Sequence, residues 1–308
     1  MRAGLMKSAA LSGTLMVLLY TALISSADAI TKLLAGAYAA PQLYVVSGGL
    51  VVAMSLAADR LKGGGSGGGL RTRCPRAMAI RSVMTVVSAT CYFYAFRLLP
   101  FAEVFVFIGL VPLFAGLLSG PVLGEHLRPA VWFALAAGFV GVLCLFPEGV
   151  ATFGPGHAIA LAASFCGTLS MIMARYIGRF EQNALAQVLY PNLALVAVMA
   201  LALPFVYVPM PLVDFGWAAG YATVLFAARW ILVVALRQLV AYAVTPLMNL
   251  QFVWMVILGA VFFGEVPGVH ILLGVSIVIA SGAYLIYDRV MADRRLVTAV
   301  RTGIVPAE

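Results

Sequence analysis

Residues 95–125 read AFRLLPFAEVFVFIGLVPLFAGLLSGPVLGE, and residues 235–265 read ALRQLVAYAVTPLMNLQFVWMVILGAVFFGE. The two stretches match at a constant offset of 140 positions, at charged residues as well as apolar ones. Only 10% of the chain is charged, so apolar composition alone does not explain charged residues that recur in register. The sequence therefore predicts an internal repeat. The matched residues are Arg97 with Arg237, Gly124 with Gly264 and Glu125 with Glu265.

The composition around these stretches is that of a membrane protein. Hydrophobic residues make up 64% of the 308 positions, and soluble domains carry about a quarter charged residues. A fold of this size needs more charge than this to cover a surface in water, whereas apolar side chains face lipid at no cost. The net charge of +8 does not indicate nucleic-acid binding, because the basic residues are scattered through short loops between apolar runs.

The apolar runs predict an all-α membrane protein with about ten transmembrane helices. A spanning helix needs about 20 mostly apolar residues, and runs of this length and uniformity do not fit barrel strands. Because backbone groups in lipid must be hydrogen-bonded internally, such runs indicate helices. The predicted spans are 10–34, 42–58, 78–97, 101–119, 129–147, 157–177, 184–206, 214–236, 241–263 and 269–287.

The distribution of basic residues predicts the orientation. With the amino terminus inside, fifteen Lys and Arg residues fall in inside segments, and only Lys32 and Arg97 fall at the outside ends. This asymmetry predicts a multi-pass protein of the cytoplasmic (inner) membrane with both termini in the cytoplasm. Residues 59–77, which include a Gly/Ser-rich run, are predicted to be a flexible basic cytoplasmic loop. Residues 288–308 are predicted to be a cytoplasmic tail.

Earlier in each half, Lys32 corresponds to Arg175 at an offset of 143. The chain thus divides into two five-helix repeats, 10–147 and 157–287. Because five is odd, the two copies must enter the membrane in opposite orientations. Inverted repeats are typical of alternating-access transporters, whose substrate site lies near the bilayer midplane between the halves.

The motifs at 95–103 (AFRLLPFAE), 112–114 (PLF) and 124–127 (GEHL), within ten predicted helices in two halves, resemble the EamA-type branch of the drug/metabolite transporter superfamily. The resemblance covers about residues 10–287. It implies a cavity lined by the first, third, fourth, sixth, eighth and ninth helices. The residues that this cavity would include are Asp28, Tyr92, Glu103, Arg229 and Asn249.

Ionisable residues inside apolar helices are costly in lipid and mark candidate functional positions. Asp28 and Lys32 are four apart and share a helix face, so Asp28 either accepts a proton or a cationic group, or pairs with Lys32. Arg229 lies about two turns inside the eighth helix and either binds a carboxylate or phosphate or snorkels to the interface. Snorkelling is favoured for Arg81. Glu103 is either a gate or proton site, or a favourable charge at a helix amino terminus.

Polar and aromatic residues at mid-membrane depth complete the predicted site. We expect Tyr92, Asn249 and Trp254 to contribute to substrate binding, against the alternative that aromatic residues only pack. Asn249 and Gln251 are two apart, so at most one of them points directly at the cavity. No catalytic residues, metal ligands or cofactors are predicted, because no His or Cys spacing suits a metal and no lysine follows a P-loop glycine pattern.

These observations predict a secondary transporter of a small organic metabolite, such as an amino acid, an amine or a related compound. Without an ATP-binding motif, a proton or solute counter-gradient would drive it, with export as the favoured direction. The alternative is an uptake carrier for a vitamin or nucleotide-type metabolite, and a membrane-embedded lipid enzyme is remote. The expected partners are the substrate and the lipid bilayer, with no nucleic acid, and the sequence leaves a homodimer open.

Overall fold

A computed structural model describes the fold at residues 2–61, 71–124, 132–133, 136–137, 139–141, 144, 153–181, 184–238, 251–281, 283–284 and 287. Its side chains are described at these positions apart from 2–14, 61, 112, 184, 229–230 and 232–238. Every regular element in these ranges is a helix. The helices are α1 (Arg2–Ala35), α2 (Ala40–Leu61), α3 (Pro75–Leu98), α4 (Phe101–Ile108), α5 (Val111–Leu123), α6 (Pro155–Gly178), α7 (Ala184–Val206), α8 (Leu212–Gln238), α9 (Gln251–Phe263) and α10 (Val269–Ser281).

Six stretches of the described residues are long and apolar enough to cross a membrane. Large apolar side chains point away from the bundle; Phe205, for example, is 88% exposed. Such a surface is unfavourable in water and suits acyl chains. The chain is therefore a multi-pass membrane protein. The six stretches are Leu15–Ala35, Ala40–Arg60, Pro75–Leu98, Phe101–Leu123, Pro155–Gly178 and Leu185–Val206.

Hydroxyl side chains lie inside the bundle, which is the reverse of a soluble domain. Most of them donate to a carbonyl three or four residues earlier in their own helix, as Ser47 does to Leu43 and Ser119 to Gly116. Small polar residues let helices approach closely and still leave no donor unpaired in an apolar setting. Among the described side chains, every buried nitrogen and oxygen has a hydrogen-bond partner.

The helices pack in pairs that follow a regular pattern. α1 packs along α8, and α3 packs along α6; α2 packs against α7. Four smaller contacts accompany these three. α3 contacts α7 and α2 contacts α8; α5 contacts α6 and α1 contacts α9.

The backbone of α9 repeats that of α5. α5 ends at Leu123 and α9 ends at Phe263, so these carboxyl-terminal ends differ by the offset of 140 found in the sequence. Each helix is followed by a glycine with positive φ, 70° at Gly124 and 65° at Gly264. A left-handed residue there ends a helix at little steric cost only when it is glycine. The repeated glycines thus mark two equivalent helix ends.

The fourth spanning stretch is broken in its middle. α4 ends at Ile108, residues 109–110 form a turn, and α5 begins at Val111. Pro112 lacks the backbone N–H that a continuous helix would donate to Ile108, which accounts for the interruption. Interrupted helices are tolerated at membrane depth only where other protein groups satisfy the backbone.

Several predicted boundaries lie partly or wholly outside the described residues. The Gly/Ser-rich run of the 59–77 loop and the 288–308 tail are both outside them. The predicted fifth span, 129–147, is described only in part, and the predicted ninth span, 241–263, only from Gln251 onward. The division into repeats at 10–147 and 157–287 stays a prediction.

We predict that Gly274→Ala destabilises the protein. A Cβ atom at position 274 would lie 2.6 Å from the carbonyl oxygen of Gly141, and this backbone cannot move aside without shifting its helix. Overpacking of this kind costs about 1–3 kcal/mol. The measurement is thermal unfolding of the purified protein in detergent.

The matched control is Gly220→Ala in α8, where an added Cβ meets no atom within 4 Å. Alanine exceeds glycine in helix propensity by about 1 kcal/mol, so this variant should melt at or above the wild-type temperature. Equal melting temperatures for the two variants would contradict the close helix contact.

Candidate functional site

A carboxylate–amide pair joins the two halves of the chain. Asp28 lies on α1 and is only partly exposed, and the Gln251 side-chain Nε2 donates to its Oδ2 at 3.0 Å. One turn before Asp28, the Ser25 hydroxyl donates to the backbone oxygen of Gln251 at 3.3 Å. Gln251 is the first described residue of α9. Two hydrogen bonds therefore hold α1 against α9 at this level of the bundle.

A second polar chain connects three other helices. The Ser164 hydroxyl on α6 donates to the backbone oxygen of Phe107 on α4 at 2.6 Å. The Tyr92 hydroxyl on α3 lies 2.9 Å from the Ser164 oxygen. Because Ser164 uses its proton on Phe107, Tyr92 is the donor of this bond. Phe107 is in the last turn of α4, so the chain satisfies backbone beside the helix break.

The Asp28 carboxyl acts electrostatically on tyrosines of two neighbouring helices. It lies close enough to act on the hydroxyls of Tyr44 and Tyr92, and Tyr44 is also within range of Tyr221 on α8. Tyr44 itself donates to the Ala89 carbonyl at 2.8 Å, which joins α2 to α3. The Asp28 carboxylate on α1 thus has side chains of α2, α3 and α9 near it, and Tyr221 of α8 is near Tyr44.

Glu103 forms a separate pair near the start of α4. Its Oε2 lies 3.3 Å from Nε2 of His157 at the start of α6. The Gly154 backbone N–H donates to the other ring nitrogen, Nδ1, at 3.0 Å. An Nδ1 that accepts this bond leaves the proton of a neutral imidazole on Nε2, so His157 donates to Glu103.

Lys32 does not pair with Asp28, which corrects one of the two alternatives predicted for that residue. Its Nζ lies 2.5 Å from Oε1 of Glu265 and 3.0 Å from the Leu99 carbonyl. It also lies over the rings of Phe101 and Phe263, at 5.6 and 5.2 Å from their centroids. Lys32 binds a partner from the second half of the chain instead.

Glu265 completes a closed network at that end of the bundle. Its second oxygen, Oε2, accepts the backbone N–H of Phe101 at 2.8 Å. This carboxylate therefore binds the end of α1 through Lys32 and the first turn of α4 at once. Glu265 thus has a structural role and pairs with a basic group. Its repeat counterpart Glu125 lies outside the described residues.

The snorkelling prediction for Arg81 is wrong. Its guanidinium donates inward to the Ser170 carbonyl at 2.9 Å and to the Gln187 carbonyl at 3.2 and 3.4 Å. The planar group reaches α6 and α7 at once because it carries several donors in a fixed fork. Arg81 is a link between three helices.

Polar contacts also join loops at the end of the bundle where Lys32 lies. The Tyr38 hydroxyl donates to Asp214 at the start of α8, and this hydrogen bond raises the pKa of the Tyr38 phenol. Gln42 bonds the backbone of Val208 with both its amide nitrogen and its amide oxygen. A cavity of about 320 Å³ lies nearby, between the starts of α4 and α10 and the end of α9, with Glu103 and Glu265 in its wall.

The structure does not bring all the predicted site residues together. Asp28 and Tyr92 lie near each other, whereas Glu103 binds His157 at a position one turn before Phe107 on α4. Trp254 is half-buried on α9, one turn after Gln251. Arg229 is in α8 with its side chain outside the described part, and Asn249 lies outside the described residues altogether.

Sequence reasoning did not select Gln251, Ser164, His157 or Glu265 as site residues. Gln251 offered a signal, because an amide inside a predicted apolar span needs a partner. Ser164 offered none, since serine is common in membrane helices. Among the described residues, no group of three or more His, Cys, Asp and Glu side chains is arranged to hold a metal ion.

Comparisons with known proteins bear on this arrangement. Residues 11–146 match the EamA-like transporter family. A protein of Rhizobium johnstonii described as "Riboflavin transporter" is 23% identical over 228 residues, which cover 73% of this chain and 75% of that protein. A solved crystal structure with 21% identity has a TM-score of 0.61, covering 94% of this chain and 99% of that one. The last similarity concerns the fold alone.

We predict that Ser164→Ala lowers stability more than Ser26→Ala does. Ser164 is fully buried and joins α3 to α4, so its loss leaves the Tyr92 hydroxyl without this acceptor, at a cost of about 1–3 kcal/mol. The Ser26 hydroxyl bonds only its own helix, at Ala22. The readout is thermal unfolding in detergent, and equal losses would show that the interhelical chain adds nothing.

Proposed function

We propose that this chain, whose residues 11–146 belong to the EamA-like transporter family, is a secondary transporter. It moves a small organic metabolite across the cytoplasmic membrane by alternating access, with both termini in the cytoplasm. The relative described as a riboflavin transporter supports a transport function rather than an enzymatic one. The observation that carries the proposal is the Asp28–Gln251 pair between the first and ninth predicted spans.

The packing of the helices supports two inverted repeats. If the first five predicted spans exchange with the last five, the α1–α8 contact maps onto the α6–α3 contact, and the α2–α7 contact maps onto itself. The weaker contact of α3 with α7 maps onto that of α8 with α2, and the contact of α5 with α6 maps onto that of α9 with α1. Such exchangeable contacts allow one half to rock against the other around a site at their seam.

The chemistry of the site favours a substrate with a cationic group, such as an amine or amino acid. Asp28 is a partly exposed carboxyl in a membrane-spanning helix, and its described partner, Gln251, is neutral. An ammonium group that binds there would supply the charge that the carboxylate needs at low dielectric. The aromatic rings of Tyr44 and Tyr92 nearby provide faces for the same cation.

The energy source follows from what the sequence contains. The chain has no P-loop motif for ATP, so a proton or solute gradient drives transport. Asp28 is the residue best placed to exchange a proton for a cationic substrate, because one carboxylate cannot bind both at full strength. This competition couples the two fluxes and favours export against a proton that enters.

We predict that Asp28→Asn abolishes coupled transport. The amide has nearly the same size as the carboxyl but cannot hold a charge-assisted bond, so flux should fall by at least about tenfold. The assay uses the purified protein in liposomes with a pH gradient and labelled amino acids and amines. No flux of any of these solutes through the wild-type protein would count against the function itself.

The control is Glu181→Gln, which removes a carboxylate that binds Thr72 and the Arg73 backbone N–H at the opposite end of α6 from His157. It should retain most of the wild-type flux. An Asp28→Asn variant as active as this control would refute the anchor role while leaving transport intact.

We also predict that Arg229→Ala cripples transport, because an Arg two turns inside the eighth predicted span supplies the positive charge that an amino-acid carboxylate needs. Its effect should be largest for substrates with a carboxylate and small for simple amines. The comparison of labelled amino acids with the matching decarboxylated amines measures this difference. Unchanged flux for both classes would remove Arg229 from the site.

A second candidate substrate class comes from the relative described as a riboflavin transporter. A ring-shaped vitamin would stack on tyrosine faces instead of binding through an ammonium group. Uptake of labelled riboflavin into proteoliposomes tests it directly. Riboflavin flux that survives in Asp28→Asn, with no amine flux in the wild-type protein, would replace the first candidate by the second.

A further inference from the structure

Two charges of opposite sign lie one turn apart on α1, and each binds a residue of the second half. Asp28 accepts a hydrogen bond from the side-chain amide of Gln251 on α9, and Lys32 binds Glu265 just after the end of α9. Spacing of four residues places the two α1 side chains on one helix face, where they are able to pair with each other. The structure keeps them apart because Glu265 binds the ammonium.

We propose that Lys32 is a substrate-release residue that exchanges partners. It binds Glu265 while the end of the bundle that carries it, the outer end in the proposed orientation, is closed. It binds Asp28 when that end opens, and so displaces a cationic substrate outward. The inference rests on the proposed function, to which it adds a direction and a mechanism of release.

Polar contacts bridge the outer end in this structure. α1 packs against α3, and the Lys32 ammonium bonds the Leu99 carbonyl just beyond α3. At the outer end, Lys32 binds Glu265, and Glu265 also accepts the Phe101 backbone N–H, so α1 and α4 are held together there.

Opening the outer end would remove all the described partners of Lys32 together. Glu265, the Leu99 carbonyl and the rings of Phe101 and Phe263 all lie on segments other than α1. Asp28 is on α1 itself and moves with Lys32. In the opened end, the Asp28 carboxylate one turn away on the same helix face is within reach of the ammonium and becomes its partner.

The site leaves room for this exchange. The Gln251 amide binds Oδ2 of Asp28, and the carboxylate's remaining lone pairs are available to an ammonium. A bound cationic substrate and Lys32 would then compete for one carboxylate. The substrate leaves on the side that has just opened, which is the outside. When the outer end closes, Glu265 takes Lys32 back and frees Asp28 for the next substrate from the cytoplasm.

The test uses a membrane-permeant carbodiimide, which joins a carboxylate and an ammonium in contact as an amide, with the lost water taken up by the reagent. The protein is treated in detergent without any substrate and then digested and analysed by mass spectrometry. Wild-type protein should yield mainly the Lys32–Glu265 product. In Glu265→Gln the Asp28–Lys32 product should rise roughly tenfold, within the range of coupling between linked sites.

Two further variants keep the test decisive. In Glu265→Asp, whose shorter side chain holds Lys32 less well, the Asp28–Lys32 product should rise to an intermediate level even if Glu265→Gln does not fold. In the charge swap of Lys32→Glu with Glu265→Lys, the amide between positions 32 and 265 should return, and Asp28 should form none. Glu181→Gln is the matched control and should give the wild-type pattern.

Some results would overturn the exchange. A folded Glu265→Gln protein without an Asp28–Lys32 product shows that the freed ammonium does not reach Asp28. Equal amounts of that product in wild type and in both Glu265 variants show that Glu265 does not compete for Lys32. Cross-linking needs neither a substrate nor a flux. The experiment therefore tests the exchange of partners even if the proposed transport function is wrong, and the two failures are distinguishable.

Discussion

The constraint on which this fold depends is that every backbone and side-chain polar group in the lipid must find a partner inside the protein. Continuous helices meet it along most of the chain, and serine and threonine hydroxyls meet it by bonding their own helices. The break between α4 and α5 does not meet it alone. The Ser164 hydroxyl therefore binds the Phe107 carbonyl, Tyr92 binds Ser164, and three helices become fixed around the interruption.

The same constraint explains why the charged groups of α1 bind across the seam. Asp28 binds Gln251 of α9 and Lys32 binds Glu265 just after α9, so the first half and the second half share their polar contacts. A membrane bundle gains little from apolar contact between helices, since lipid is as apolar as leucine. Polar contacts of this kind hold the halves together, and in the proposed mechanism an exchange of partners lets them move.

The sequence allowed much of the fold to be predicted and less of the site. Apolar runs predicted helices because length and hydropathy are local properties, and the Gly124–Glu125 and Gly264–Glu265 matches predicted the equivalent ends of α5 and α9. The partners of Lys32, Arg81 and Glu103 were not predictable, because each lies on another helix and depends on how the bundle is packed. A spacing of four residues shows which side chains of one helix share a face, but it does not show which partner on another helix they bind.

In the proposed alternating-access mechanism, some residues act at both ends of the bundle and others at one place only. Lys32 corresponds to Arg175 and Glu265 to Glu125, so each half carries one basic and one acidic residue at equivalent positions. Asp28 corresponds to Met171 at the same offset of 143, and the carboxylate therefore occurs in one half alone. In that proposal, an ion pair serves each end as it closes, whereas the substrate binds at a single place between the halves. The charges that recur are thus suited to closing the ends, and the one that does not recur is suited to binding.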